Sequence, residues 1–248
     1  MAATTRDRVC AAGRIRRFGG IAGLFATLLL HPAARAQAPA PENGLFVTVA
    51  NPITSEEVSR IKAKVERNLN RPDRRVRKIV FDFNPDRHAS GTKDFGACHD
   101  LAKFLLRLQE VTTVAFIHNE TTQHTVLPVL ACQEIVMASR AKLGDVLRDQ
   151  SDPLTNSERQ AYLDVANARG RCPALVLKMI DKDMAVLQGT TRKGGVWYID
   201  SRREAEEIKQ GFVVKSREPK LPAGVPGLYT VTQAQQLDLC RLLRETRE

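Results

Sequence analysis

Short apolar runs alternate along this chain with longer segments in which apolar residues recur every three or four positions. Such runs are typical of buried strands, and such segments are typical of helices that pack one face against a sheet. The runs that predict strands are Gly44–Ala50, Lys78–Phe83, Thr112–His118 and Glu134–Ala138. The segments that predict helices are 54–70, 97–108 and Thr125–Ala131. The first of them opens with a capping box of Thr54 and Glu57. This alternation predicts an α/β fold with a mainly parallel sheet, right-handed crossovers and flanking helices.

The same pattern continues in the second half of the chain. Polar residues predict loops at Asn84–Lys93 and Asn119–His124, between the first elements. The further predicted elements are helices at Asn156–Arg169, Pro173–Ile180 and Ser201–Gln210, a hairpin of Met184–Gly189 with Gly195–Ile199, a strand at Phe212–Ser216, and a last helix from Gln233 onward. That last helix has no stop signal before Glu248, so we expect the chain to be truncated at its C-terminus.

The first 36 residues have the layout of a secretory signal peptide. Five arginines precede the apolar run Phe18–Leu30, which is too short to cross a bilayer as a helix. Ala34 and Ala36 then place small residues before a cleavage site. We therefore expect removal of residues 1–36 on export, a linker at 37–43 and one domain at 44–248. An uncleaved N-terminal anchor is the alternative.

The charge of the chain depends strongly on that leader. The 248 residues include 38 Lys and Arg against 28 Asp and Glu, a formal charge of +10. Loss of residues 1–36 removes six arginines and one aspartate, which lowers the formal charge to +5. The basic cluster Arg71–Lys78 remains, but one Trp and three Tyr leave little aromatic surface for stacking bases. The sequence therefore predicts no nucleic-acid partner.

Four cysteines remain after the leader: Cys98, Cys132, Cys172 and Cys240. Their wide spacing matches no zinc motif, and we predict neither a metal nor a cofactor. An exported protein can form disulfides, and four cysteines allow three pairings. Cys98 and Cys132 lie in apolar helix patterns, which favours buried free thiols for both.

Several segments together resemble the Clp-protease/crotonase superfamily, and most closely its membrane-linked serine proteases of the signal-peptide-peptidase A and NfeD type. The segments are Val126–Ala138 (VLPVLACQEIVMA), Thr155–Cys172, Leu175–Gly189 and Leu228–Leu239 (LYTVTQAQQLDL), where Asp238 stands in place of a family glycine. The resemblance covers the chain from about Leu45 onward. It implies a spiral of βαβ units and a serine-peptidase site. In that site a Pro-Gly-Gly loop forms the oxyanion hole, a Ser opens a buried helix, and a Lys from a later helix is the base.

The residues at the family's site positions differ from that pattern. The nucleophile position falls on Gln123, the base position falls on Leu163 beside Tyr162, and the oxyanion loop corresponds to Pro85, Asp86 and Arg87. Neither Gln nor Leu supplies the hydroxyl and the amine that a Ser-Lys dyad needs. Asp86 and Arg87 stand where glycines allow unusual backbone angles and close approach to the substrate. We therefore predict that the fold persists and that the peptidase activity is lost.

Active alternatives rest on nearby side chains. Thr125 would replace the serine with His124 or Lys103 as base, although its hydroxyl is more simply explained as a helix N-terminal cap. Cys132 and Ser139 are two further nucleophile candidates, which we interpret as a buried inert thiol and a turn residue. Asp82, inside an apolar strand, would form a metal or acid–base site with His88, His99 or Asp100, although His99 and Asp100 are more simply explained as a solvated helix face. The superfamily also contains CoA enzymes, but this chain has no distinctive CoA feature.

The function that the sequence predicts is therefore an exported, catalytically inactive domain of a serine-protease type, which acts in binding or assembly. The alternative is an active serine-type peptidase with a relocated nucleophile. We expect a periplasmic or membrane-associated location. The partners we expect are further copies of the chain and a membrane-associated protein.

Overall fold

The computed structural model describes residues 43–73, 75–150 and 152–245. The predicted signal peptide, and residues 37–42 of the predicted linker, lie outside the described residues and stay predictions. In chain order, the strands are β1 Asn43–Thr48, β2 Val76–Asp82, β3 Ser90–Thr92, β4 Thr112–Ile117, β5 Glu120–Gln123, β6 Glu134–Met137, β7 Lys142–Gly144, β8 Val186–Thr190, β9 Val196–Asp200, β10 Val213–Val214, β11 Leu228–Thr230 and β12 Leu242–Leu243. The helices are α1 Ser55–Leu69, α2 Phe95–Arg107, α3 Val126–Ala131, α4 Asn156–Ala168, α5 Pro173–Ile180, α6 Glu204–Lys209 and α7 Val231–Gln236.

A five-stranded sheet with the order β1-β2-β4-β6-β12 is parallel throughout. The second sheet has the order β11-β7-β5-β3, in which only β11 runs antiparallel to its neighbour. The third sheet, β10-β8-β9, contains the predicted hairpin and is antiparallel. The predicted mixed α/β fold with a mainly parallel sheet is confirmed.

One large apolar core joins the main sheet to the helices. Alternate strand residues such as Val47, Phe81 and Ile117 point into it, together with Ile61 of α1 and Leu101 of α2. These side chains are buried almost completely, as the 2.0 and 3.6 periodicities predict. Within the described ranges, no helix is both long and apolar enough to cross a membrane.

Three local predictions from the sequence are wrong. The predicted loops Asn84–Lys93 and Asn119–His124 contain β3 and β5, which pair in parallel and build the second sheet. The last helix does not run to the end of the chain, because α7 stops at Gln236 and β12 follows it. The predicted capping box at Thr54 is only half formed, because Glu57 binds the amide of Ala50 instead of the Thr54 amide.

The end of α7 has a physical cause. Asp238 adopts a left-handed backbone with φ of 56°, and the amide of Leu239 donates to the carbonyl of Ala234 at 2.8 Å. With the bond from the Asp238 amide to Gln235, this is a Schellman termination, which normally uses glycine. The aspartate therefore keeps the backbone of the glycine that the family resemblance places at this position.

All four cysteines of the described domain are free and buried. The prediction of buried free thiols is confirmed for Cys98 and Cys132, and the open question of pairing resolves to no disulfide among these residues. Burial raises the pKa of Cys132 to about 12 and raises that of Cys98 further, which keeps both thiols protonated and inert.

Candidate functional site

The family's nucleophile position lies where β5 ends and α3 begins. Gln123 is the last residue of β5, and its backbone takes the left-handed conformation with φ of 52°. This sharp turn is held by two backbone bonds, from Gln123 to the carbonyl of Asp145 and from His124 to the carbonyl of Thr92. The turn thus presents three consecutive side chains, those of residues 123 to 125, at the start of a buried helix.

The side chain of Gln123 is used to hold the neighbouring loop. Its Nε2 donates to the carbonyl of Arg148 at 3.2 Å, and its Oε1 lies where a side chain on Gly91 would clash. Arg148 in turn forms ion pairs with Asp145 and Glu120. The side-chain amide of Gln123 therefore links β5 to the segment after β7, and it is not a nucleophile.

His124 and Tyr162 form a hydrogen-bonded pair beside this turn. The Nδ1 of His124 lies 3.2 Å from the phenolic oxygen of Tyr162, which α4 supplies. His124 is 2% exposed and Tyr162 is fully buried. Burial lowers the pKa of His124 and raises that of Tyr162 well above its ordinary value, so both groups are neutral near pH 7.

At the base position, α4 carries an apolar side chain. Leu163 is half-buried on α4, and the neighbouring Tyr162 is the residue that reaches the nucleophile segment. Lys103, the amine considered as a partner for Thr125, is exposed on α2. Burial lowers the pKa of His99 on the same helix, and the charge of Lys103 lowers it further, so Lys103 lies near His99. The described residues thus bring no amine to the hydroxyl of Thr125.

Thr125 is fully buried and bonded to another hydroxyl. Its Oγ1 donates to Oγ1 of Thr92 at 3.1 Å, and the same Thr92 oxygen accepts from the amide of Ile53 at 2.9 Å. Thr125 is the N-cap residue of α3, but the interpretation of its hydroxyl as a cap is wrong, because that side chain makes no capping bond. A hydroxyl that is bonded to Thr92 of β3 and has no base beside it is not activated for attack.

The loop at the oxyanion position follows β2. Arg87 adopts a left-handed backbone with φ of 59°, the conformation that favours glycine. Its amide donates to the carbonyl of Asn84 at 2.8 Å, which closes a turn over Pro85 and Asp86. An oxyanion hole needs amides aimed at the substrate oxygen, whereas this amide is already bonded within the loop.

Comparison with known proteins identifies the fold that carries this site. No protein-family model matches the chain, and no curated protein matches it by sequence. A solved structure of a serine-to-alanine mutant of the membrane-bound stomatin-specific protease 1510-N aligns with a TM-score of 0.53 and 10% identity, over 84% of this chain and 82% of that chain. A lysine-to-alanine mutant of the same protease, in complex with a substrate peptide, aligns with a TM-score of 0.52 and 10% identity, over 84% and 78% of the two chains.

This chain has the Clp-protease/crotonase fold. The predicted resemblance is confirmed at the level of fold. A looser match is an enoyl-CoA hydratase/isomerase family protein from Silicibacter pomeroyi, with a TM-score of 0.49 and 14% identity over 83% of this chain and 73% of that chain.

Within the Clp-protease/crotonase fold of this chain, the remaining candidates are dispersed. Cys132 is fully buried at the end of α3, and Ser139 is exposed after β6. Both agree with the interpretations of an inert thiol and a turn residue. The described residues contain no group of three His, Cys, Asp or Glu side chains arranged to hold a metal ion.

The alternative grouping of Asp82 with His99 or Asp100 is wrong, and His88 is exposed whereas Asp82 is buried. Asp82 is 1% exposed, and the histidine beside it is His118, with Nε2 3.8 Å from Oδ1. Asp100 instead pairs with Lys62 at 2.6 Å, and His99 stacks on the ring of Phe95. The sequence separation hid this contact, because His118 follows a different strand whose carboxyl end lies beside that of β2.

Two site features were invisible to the sequence comparison. The bond between His124 and Tyr162 joins residues 38 positions apart, and only the packing of α4 on α3 brings them together. The left-handed backbones of Arg87 and Gln123 belong to residue types that rarely adopt them. Neither the pattern of apolar residues nor local propensity signals either feature.

Proposed function

We propose that this chain is an exported domain of serine-protease type that does not hydrolyse peptides and acts by binding or assembly. The observation that carries the proposal is the neutral pair of His124 and Tyr162 at the nucleophile turn. A Ser-Lys dyad needs a solvent-accessible hydroxyl beside an amine with a lowered pKa. The described turn instead has an amide, an imidazole and a hydroxyl that are all bonded internally.

The loop at the oxyanion position supports the same proposal. Each missing oxyanion donor costs about 2.7–4 kcal/mol of transition-state stabilisation. The Arg87 amide donates to Asn84, and the carbonyls of Arg87 and His88 accept from the side-chain amides of Asn119 and Asn84. Freeing that amide would require breaking several bonds of the loop at once.

Peptide cleavage by the full chain tests this proposal. The purified chain is incubated with a broad peptide library, with Thr125→Ala and Ser139→Ala prepared in the same way. We expect no cleavage above buffer from any of the three proteins. Cleavage that co-elutes with the chain and disappears in one variant would contradict the proposal and would identify the nucleophile of the alternative, an active peptidase with a relocated site.

Self-association is the form of assembly that we propose. This proposal of an oligomeric state rests on the family resemblance. Sedimentation velocity on the full chain over a wide concentration range tests it. A species of at least twice the monomer mass is expected, and a monomer at the highest concentration would contradict it.

We propose export from the layout of the N-terminal residues alone. The proposed location is periplasmic or membrane-associated, and the proposed partner is a membrane-associated protein. The mass of the chain recovered from expressing cells tests the cleavage step. We expect a product that begins at residue 37. Recovery of the chain with residues 1–36 still attached would contradict a cleaved signal peptide and favour the uncleaved anchor.

A further inference from the structure

A polar cavity lies outside the nucleophile turn, at the carboxyl ends of the parallel strands β2, β4 and β6. Its volume is about 400 Å³. The residues that line it follow those strands or β12: Arg87, His118, Asn119, Ala138, Ser139, Arg140 and Glu245. In open α/β sheets, ligands bind in the crevice outside the carboxyl ends of the strands.

The backbone of Arg87 is fixed so that its side chain lines this cavity. A left-handed arginine costs free energy and persists only where its surroundings enforce it. Here Asn119 donates to the Arg87 carbonyl at 2.9 Å, and Asn84 donates to the next carbonyl, that of His88, at 2.8 Å. Asn84 is 2% exposed, and its own Oδ1 accepts from the amide of His118. Two asparagines thus hold the conformation that a glycine would adopt freely.

The charges of the cavity favour an anion. Arg87 and Arg140 are both exposed, and within the described ranges neither forms an ion pair. A guanidinium group binds the oxygens of a carboxylate or phosphate through paired N–H donors. Asn119 is part of the same lining and holds the loop that carries Arg87.

A carboxylate of this chain already lies in the cavity. The Oε1 of Glu245 accepts from the backbone amide of Ser139 at 3.3 Å. That distance is long for a charge-assisted bond, so the carboxylate is held weakly. Glu245 reaches the cavity because β12 pairs with β6 immediately before it.

We propose that this cavity binds the oxyanion group of a small ligand, a phosphate ester or a carboxylate, between Arg87, Arg140 and the Ser139 amide. In the absence of ligand, Glu245 accepts from the Ser139 amide. The site shares Arg87 with the loop at the oxyanion position, but its lining includes no residue of the nucleophile turn, so it does not depend on the absence of peptidase activity. An oxyanion of the ligand replaces the Glu245 carboxylate at the Ser139 amide and adds bonds to the two guanidinium groups.

An NMR titration of the full chain with inorganic phosphate, and separately with acetate, tests the proposal. The signals to follow are the Nε–H groups of Arg87 and Arg140 and the amide of Ser139. The variants are Arg87→Gly, which keeps the left-handed backbone and removes the guanidinium, Arg140→Gln, and Glu245→Gln. Arg77→Gln is the matched control, because Arg77 is an exposed arginine near the opposite end of β2.

We expect phosphate or acetate to shift these signals in the unmodified chain and in Arg77→Gln, with equal dissociation constants. Loss of either cavity guanidinium should weaken binding by about tenfold or more. Glu245→Gln should tighten binding by about threefold or more, because a like charge no longer lies in the cavity. Stronger shifts with phosphate than with acetate identify a phosphate ester as the ligand class, and the reverse order identifies a carboxylate.

Two results would overturn the proposal. One is an absence of localised shifts in both the unmodified chain and Glu245→Gln with either anion. The other is an equal loss of affinity in Arg77→Gln and in the two cavity variants, which would indicate general attraction to surface charge. Thermal unfolding of each variant confirms that the comparison is made between folded proteins.

Discussion

The Nδ1 of His124 and the phenolic oxygen of Tyr162 lie 3.2 Å apart at the turn where the family resemblance places a nucleophile. Neither group is accessible to solvent, and burial keeps both in their neutral forms. Buried polar groups are costly unless they are bonded, and among the described residues every fully buried side-chain nitrogen and oxygen has a partner. The turn is therefore built as a closed part of the core.

Tyr162→Phe should destabilise the domain. The variant removes one hydroxyl and leaves Nδ1 of His124 buried without its partner, which costs about 1–3 kcal/mol. The free energy of unfolding from urea titration measures the effect. Tyr198→Phe is the matched control, because its hydroxyl makes only a 3.5 Å contact with the carbonyl of Gln236. Equal losses in the two variants would show that the bond to His124 does not contribute.

The stability should fall as the pH decreases through the range of histidine titration. The pKa of His124 is lowered in the folded protein by burial. Below about pH 6.5, His124 of the unfolded chain therefore binds a proton more readily than His124 of the folded chain. Stability is therefore retained above that range and lost as the pH falls toward the folded pKa. Urea midpoints between about pH 7.5 and about pH 5 measure the slope.

The matched variants for this pH dependence are His124→Gln and His99→Gln. We expect His124→Gln to reduce the slope more, because His99 has a lowered pKa but is only half-buried. An unchanged slope in His124→Gln would assign the pH dependence to other groups.

Substitution of Arg87 should reveal the backbone strain of its loop. Glycine adopts φ of 59° without strain, which stabilises the fold, but it loses more conformational entropy on folding, which destabilises it. Because these two effects oppose each other, Arg87→Gly should change the free energy of unfolding by less than about 1 kcal/mol. Arg87→Val should be clearly more destabilising, since a β-branched residue is strongly disfavoured at positive φ. Urea unfolding of both variants checks this order, and a valine variant as stable as the glycine variant would contradict it.

Lys178 should be a major structural cation of the domain. It is 2% exposed, and its Nζ donates to the carbonyls of Lys182, Met184 and Pro222 at 2.8, 2.6 and 2.7 Å. Lys178→Met leaves these carbonyls without their donor and should cost about 3 kcal/mol or more. Lys182→Met, at an exposed position four residues along the chain, is the control and should be nearly neutral. Similar unfolding free energies for the two variants would contradict this role.

The sequence predicted the main sheet and its helices because their apolar periodicity follows directly from burial. It missed β3 and β5 because SGT and ETTQ contain few apolar residues, and their pairing is set by neighbouring strands. It extended the last helix past Gln236 because Leu237 and Leu239 continue an apolar pattern. The stop depends on Asp238 adopting a glycine-like backbone, which composition does not reveal.

The candidate site was predicted in part. The family positions Gln123 and Arg87 lie at left-handed turns, although neither residue is glycine. The residue of α4 that contacts the turn is Tyr162, the neighbour of Leu163, because the side chain that a helix presents depends on its rotation against the core.

The protonation of His124 distinguishes a closed turn from an open one. An NMR titration of the imidazole nitrogens in the full chain reports the charge and the hydrogen bond of this one ring. We expect a ring that stays neutral near pH 6.5, with Nδ1 bonded to Tyr162 and the Nδ1 signal altered in Tyr162→Phe. A ring that titrates with an ordinary histidine pKa and does not respond to Tyr162→Phe would show an open, hydrated turn and would contradict the closed site.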